Sequence, residues 1–233
     1  MIKGGIMSAW IKRIILMSVV LVWAFVPAGA MAGVIAQSTF DAGDEGWTVG
    51  DLFAATGAST PTYVATGGNP GGFIRANDWY GWNGFHAPTA FLGDKSAAYG
   101  GVLHVEQRIL SSDGAAYPMV VISDGITSLQ YRTTPPGTGW TSYDIALAAS
   151  AGWEIMNTSG NPGAPASEAQ LQTVLSNLVF MNFEADWQTG SDQVDLDNVR
   201  LESPGAPVPL PPTLLLLAPG LAGFAVMRRR FKK

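Results

Sequence analysis

The chain has 233 residues, no cysteine and a formal charge of −5. Its charges are segregated: Lys3, Lys12 and Arg13 precede the first apolar run and five basic residues close the chain, so residues between them hold five basic against eighteen acidic side chains, a net −13. A middle this acidic excludes recognition of nucleic acid or anionic lipid through a basic face, and the lack of cysteine excludes a disulfide framework, a thiolate nucleophile and a Cys-bearing zinc site.

Residues 1–32 read as an export signal. Lys12-Arg13 leads into the uncharged run Ile14 to Val26, then Pro27, then small residues that place cleavage after Ala32. A membrane anchor is the alternative, but the apolar run is short for one. The segment 37–202 then reads as one domain, long enough to bury a core without cross-links. Ser38 to Asp41 is expected as its first strand, with Phe40 and Trp47 as core plugs. Leu52 to Ile74 is turn-rich, and Ala76 to His86 gathers Asn77, Asp78, Trp79, Tyr80, Trp82, Asn83, Phe85 and His86.

The clearest strand is Val102 to Ile109. Leu103, Val105 and Ile109 fall on one face and His104, Glu106 and Arg108 on the other, the period of two that marks a half-buried strand with one wet face. Gly100-Gly101 lets the chain swing into it. Met119 to Ser123, Leu129 to Arg132, Trp140 to Leu147 and Leu178 to Trp187 are further strands. Between the last two, Ser167 and Gln170 form a capping box ahead of Leu171, Val174, Leu175 and Leu178, which predicts one short helix. The last strand, Val194 to Leu201, slips phase: Val194 and Leu196 have one parity, Val199 and Leu201 the other. A bulge near Asp197-Asn198 reconciles them. Many short strands, Gly and Pro turns and one helix give an all-β class, an antiparallel sandwich of jelly-roll type similar to carbohydrate-binding modules.

Ser203 to Pro212 contains five prolines and reads as a semi-rigid linker. Residues 213–227 are apolar and uncharged, and 228–233 are almost wholly basic, which orients the domain outward across a membrane. The tail 208–233 closely resembles PEP-CTERM sorting signals, through Val208-Pro209-Leu210-Pro211, the leucine run from Leu214 and Arg228-Arg229-Arg230. That resemblance implies transient anchoring in the inner membrane of a Gram-negative bacterium and cutting near the proline motif by an exosortase. A plain C-terminal anchor is the alternative.

The middle resembles the laminin B, or laminin IV, domain. Phe40-Asp41, Gly46-Trp47, Ala87-Pro88-Thr89-Ala90-Phe91-Leu92-Gly93-Asp94, Tyr99-Gly100-Gly101-Val102-Leu103, Trp140, Trp153 and Asp195 to Leu201 carry the resemblance. It implies an extracellular domain without shared catalytic activity. A non-catalytic surface or matrix protein associated with exopolysaccharide is therefore expected, with a spacer or adhesion domain contacting another surface protein as the alternative.

Three sites follow. Asp41 and Asp197 match the positions at which similar jelly rolls pin their terminal strands with a structural calcium ion, Asp195 being a weaker third; the alternative is that Asp197 and Asn198 cap the bulge. Trp79, Tyr80, Trp82 and Asn83 would suit polysaccharide, rings stacking on sugar faces beside amides; the alternative is core packing. Asp195 and Asp197, two apart, invite comparison with a glycoside hydrolase pair, but the bulge is expected to break their shared face, and His86 and His104 lack a catalytic context. His104 is expected to be solvated.

Overall fold

The structure is a computed structural model that describes residues 32–77, 81–111, 113, 117–157 and 161–205. Residues 1–31 of the expected export signal, the expected linker from residue 206 and the expected sorting motif Val208, Pro209, Leu210 and Pro211 lie outside the described residues, as do Trp79 and Tyr80.

Two antiparallel sheets enclose one core. The first runs β3 (Thr62–Val64), β4 (Phe73–Asn77), β12 (Gln193–Glu202), β6 (Val102–Ile109) and β9 (Thr141–Ala146), with β1 (Val34–Ser38) also paired to β12. The second runs β10 (Glu154–Ile155), β8 (Ser128–Thr133), β7 (Tyr117–Ser123), β11 (Phe180–Glu184), β5 (Asn83–His86) and β2 (Thr48–Asp51). Helix α1 (Glu168–Ser176) begins at the expected capping box: Ser167 accepts the Gln170 N–H at 3.3 Å and donates its own N–H to the Gln170 side chain at 2.9 Å. Such a box satisfies two helix-end donors that would otherwise lack partners.

Alternation places the core. Leu103, Val105 and Ile109 of β6 are buried between the sheets. Gln107 shares that face at 0% exposure and is satisfied there, donating to the Glu184 carbonyl at 2.9 Å and accepting from the Trp187 indole at 3.3 Å. Phe40 and Trp47 are both buried, with ring centroids 5.8 Å apart, and Trp47 also packs on Phe91 and Phe183. Each such side chain stabilises the fold by about 1.5–3 kcal/mol.

Two expectations about strands are corrected. The first strand is Val34–Ser38 rather than Ser38 to Asp41. Phe40 instead lies in the following bend with a φ of 54°, and its N–H donates to Glu45 Oε1. Pairing with β12 makes β1 a strand despite its unremarkable sequence, an influence the local pattern does not carry. The second correction concerns the bulge. It is present, with Asn198 at a φ of 46° and a register shift against β6, but the shift falls between Asp197 and Arg200. Asp195 therefore stays opposite Arg108 and Asp197 opposite Glu106, and the two acids keep one face. The bulge rotates the strand's second half so that Val194, Leu196, Val199 and Leu201 all reach 0% exposure. It also marks where β12 passes from pairing with β4 to pairing with β1.

The second sheet's outer face is covered. A Cβ on Gly84 would lie 2.9 Å from the Leu52 Cα, and one on Gly50 the same distance from the Gly57 Cα. These glycines admit the chain after β2 directly onto the strands. Asn182 of β11 holds it by donating to the Leu52 and Ala54 carbonyls, both at 2.8 Å. Leu52 packs there with Val121 and Phe180.

Candidate functional site

At one end of the second sheet, the residues entering β5 and β7 and those leaving β11 bound a cleft of about 330 Å³, lined by Trp82, Tyr117, Asp186, Gln188 and Thr189 between Gly81 and Gly190. Trp82 is 36% exposed, with a φ of 37°. A non-glycine residue held in that region costs about 1–2 kcal/mol, and its neighbours hold it: its carbonyl accepts the Leu52 N–H at 2.8 Å, and its ring packs on Phe53 at 5.5 Å and edge-on to Tyr117 at 5.7 Å. Tyr117 continues the series to the buried Trp187, at 6.1 Å. The Tyr117 hydroxyl donates to Asp113 at 2.6 Å, and chiefly this bond, then burial and nearby acids, pushes its pKa up to about 12. Behind the cleft, Glu184 is wholly buried and its Oε2 has no hydrogen-bond partner among the described residues. Burial first, then Asp186 and Asp192, hold its carboxyl well above the usual range, so it favours the neutral acid.

Of the described residues expected to bind sugar, Trp82 lines this cleft. Asn83 is buried in β5, at 2% exposure. Tyr117, Asp186, Gln188 and Thr189 were not foreseen. They come from chain segments far apart in sequence, and no local pattern joins them.

A second cluster forms on the first sheet's outer face at the bulge. Residues 67–72 fold over it closely: a Cβ on Gly71 would meet Asp41 Oδ1, and one on Gly68 would come within 2.7 Å of Asp197 Oδ2. Asp197 is fully buried and accepts the Asn69 and Asn198 N–H groups at 2.6 and 2.7 Å. It therefore does cap its own bulge. Burial, with Glu106 and Asp41 adding like charge, pushes its pKa up to about 6 against the pull of those two N–H groups. Glu106 accepts from the Asn69 and Asn198 amides and from Ser142. Among the described residues, no three His, Cys, Asp or Glu side chains are grouped as a metal site. The donors here are nonetheless hard oxygens of the kind calcium takes, and among the described residues no cationic side chain hydrogen-bonds Asp197.

The remaining titratable candidates have other duties. Asp195 accepts Arg75 through Nε and Nη2 at 2.6 and 2.9 Å, and Arg108 through Nε at 2.7 Å, so it is a neutralised anion rather than an acid or base. His104 is paired rather than simply solvated, its Nδ1 lying 2.6 Å from Asp144 and its Nε2 3.7 Å from Glu106. His86 is nearly buried, and burial lowers its pKa.

Residues 84–209 match the Laminin B (Domain IV) family, over half of the chain. The chain belongs to the laminin B (domain IV) family. Its laminin B region takes in β6 to β12, so Glu106 and Asp197 fall within it, whereas Asp41 and Trp82 precede it. Among solved structures, the L4b domain of human laminin alpha-2 is similar at 17% identity with a TM-score of 0.57, over 73% of this chain and 98% of that one, and this establishes the fold. Weaker likenesses are to the family 11 carbohydrate-binding module of the cellulase Lic26A-Cel5E of Clostridium thermocellum (17% identity, TM-score 0.40, 76% and 92% coverage) and to an exo-beta-agarase (14%, 0.48, 75% and 25%). No curated protein matches the chain.

Proposed function

We propose that this laminin B domain is a non-catalytic, exported module of the cell surface or extracellular matrix that binds glycan, in keeping with an exopolysaccharide-associated role. Trp82 carries the proposal: a large ring left 36% exposed beside Tyr117, Asp186 and Gln188 suits a sugar's C–H face and hydroxyls together. A cleft of about 330 Å³ is at the lower end of the roughly 300–1,000 Å³ typical of ligand sites. Retention of the full-length protein on its host's exopolysaccharide tests it. Trp82→Ala should abolish retention while leaving the melting temperature within a few degrees; retention unchanged by that substitution removes the cleft as the glycan site, and a wild-type protein that is not retained returns the domain to the spacer or adhesion reading. Turnover of the glycan would overturn the non-catalytic assignment.

Two subsidiary proposals belong here. Calcium would be held by Asp41 and Asp197, where burial and like charge at Asp197 favour a counter-cation. Added calcium should raise the melting temperature and a chelator should reverse it; no shift in either direction removes the ion. Export would remove residues 1–32, and an exosortase would cut near Val208-Pro209-Leu210-Pro211 at the inner membrane of a Gram-negative host. Intact mass of the protein recovered from the medium checks both cuts.

A further inference from the structure

The first sheet's outer face carries a row of side chains that neither the Trp82 cleft nor the bulge cluster uses. Strand register sets Thr62 of β3 opposite Arg75 of β4, Arg75 opposite Asp195 of β12, and Asp195 opposite Arg108 of β6. Trp140, just before β9, completes the row, its ring 4.5 Å from the Arg108 guanidinium. At about 4.8 Å per strand, Thr62 to Trp140 spans roughly 19 Å.

Two arginines here share a single carboxylate. Asp195 takes Nε and Nη2 of Arg75 and Nε of Arg108, and among the described residues Nη1 of Arg75 and both Nη atoms of Arg108 make no hydrogen bond. The Arg108 fork is fixed, held between Phe73 at 4.7 Å and Trp140 at 4.5 Å, with the Trp140 indole anchored to the Gly67 carbonyl at 3.0 Å. Both arginine side chains stay partly open, at 28% and 26%. An opening of about 190 Å³ is lined by Arg75, Arg108, Leu110, Thr138, Gln193 and Asp195. A second, of about 230 Å³, lies beside Thr60, Thr62 and Asn77 and shares Arg75 with the first. A structural ion pair needs one guanidinium per carboxylate. The second leaves a local net positive charge and unspent, preorganised donors facing a cavity, in a domain that is otherwise strongly acidic.

We propose that this row binds an acidic sugar, a uronic acid residue whose carboxylate takes the open edges of Arg75 and Arg108. Thr138 and Gln193 lie within the same opening to meet its hydroxyls, and Leu110, 67% exposed, offers its C–H face an apolar surface. The domain's net negative charge opposes any anion at long range, but at physiological salt that field decays over about 8 Å, whereas a guanidinium–carboxylate contact at about 3 Å does not. The neighbouring acidic pair Asp197 and Glu106 sits two residues further along the strands, about 7 Å away. Affinity for a single residue is accordingly modest, on the order of 1 mM.

The test is calorimetric or NMR titration of the full-length protein with methyl glucuronide, methyl glucoside and sodium sulfate, at pH 7 and physiological salt. The glucuronide is expected to bind at least tenfold more tightly than the glucoside, and sulfate to compete poorly. Leu110→Asp puts a like charge into the opening from an exposed position and should cost at least tenfold in glucuronide affinity at unchanged melting temperature. Arg108→Gln should cost as much, and if it unfolds the protein, Leu110→Asp decides. Equal affinity for the two glycosides, sulfate competing as well as the glucuronide, or a Leu110→Asp protein that binds like wild type would each overturn the proposal. Retention on exopolysaccharide reads the Trp82 cleft and glucuronide titration of Leu110→Asp reads this opening, so the two stand or fall separately.

Discussion

Asp195 and Glu184 are outward-facing carboxylates on opposite sheets, and each is almost fully enclosed, at 4% and 0% exposure. Asp195 has two guanidiniums within 2.9 Å. Glu184 has the Asp186 N–H at 3.0 Å, an Oε2 without a partner among the described residues and acidic neighbours. The difference follows from what covers each sheet. Arginines arch over the first sheet and leave it open between their side chains, so its buried acid is charged and compensated. Backbone covers the second sheet, admitted by Gly50 and Gly84, and backbone brings no counter-charge, so burial pushes its acid toward the neutral form instead.

The sharpest way to break this comparison is Asp195→Ala. Two partly enclosed guanidiniums would lose their shared acceptor, and a loss of about 3 kcal/mol is expected by urea unfolding. A loss below about 1 kcal/mol would mean that the arginines are already served by water. Gly84→Ala comes next: its methyl would press on the Leu52 backbone, for an expected cost of about 2 kcal/mol and faster proteolysis within residues 52–57. Were stability and cleavage both unaffected, the cover would not rest on the glycines.

The Glu184 effect is read along pH rather than at one pH. Its folded pKa is raised, so the folded state holds the proton that the unfolded chain releases above about pH 4.5. Stability contributed in acid is therefore lost as pH rises from there toward the folded pKa, by about 1.4 kcal/mol per pH unit. Asp197 adds loss of the same sign between its ordinary 3.8 and about 6. Glu184→Gln should leave the melting temperature at pH 4 nearly as it was and raise it at pH 7 to 8. A variant whose melting curves track wild type at every pH would show that water reaches Glu184.

Much of the scaffold was legible because it is written in local periods. The two-residue alternation of Val102 to Ile109 became β6, the Ser167 and Gln170 spacing became a capping box, and the parity slip in the last strand became a bulge at Asp197-Asn198. What failed to show is what distant segments decide together. Val34–Ser38 has no telling pattern and is a strand because β12 lies beside it. Arg75 and Arg108 meet Asp195 across separations of 120 and 87 residues, and the Trp82 cleft gathers Tyr117 and Asp186 in the same way. Arginine's rarity was the one available clue: among five basic residues in the middle of the chain, Arg108 already had the strand parity that faces outward.

The first and last strands close the domain side by side. Val34 faces Glu202, and the Ser203 N–H donates to the Gly33 carbonyl at 2.8 Å. The polypeptide thus enters and leaves at one spot, with the two strands running in opposite directions from it. Tension between the flanking segments would act across these hydrogen bonds, peeling them open in succession like a zip rather than loading them all in shear. The module would yield early to a mechanical pull applied between its own two ends.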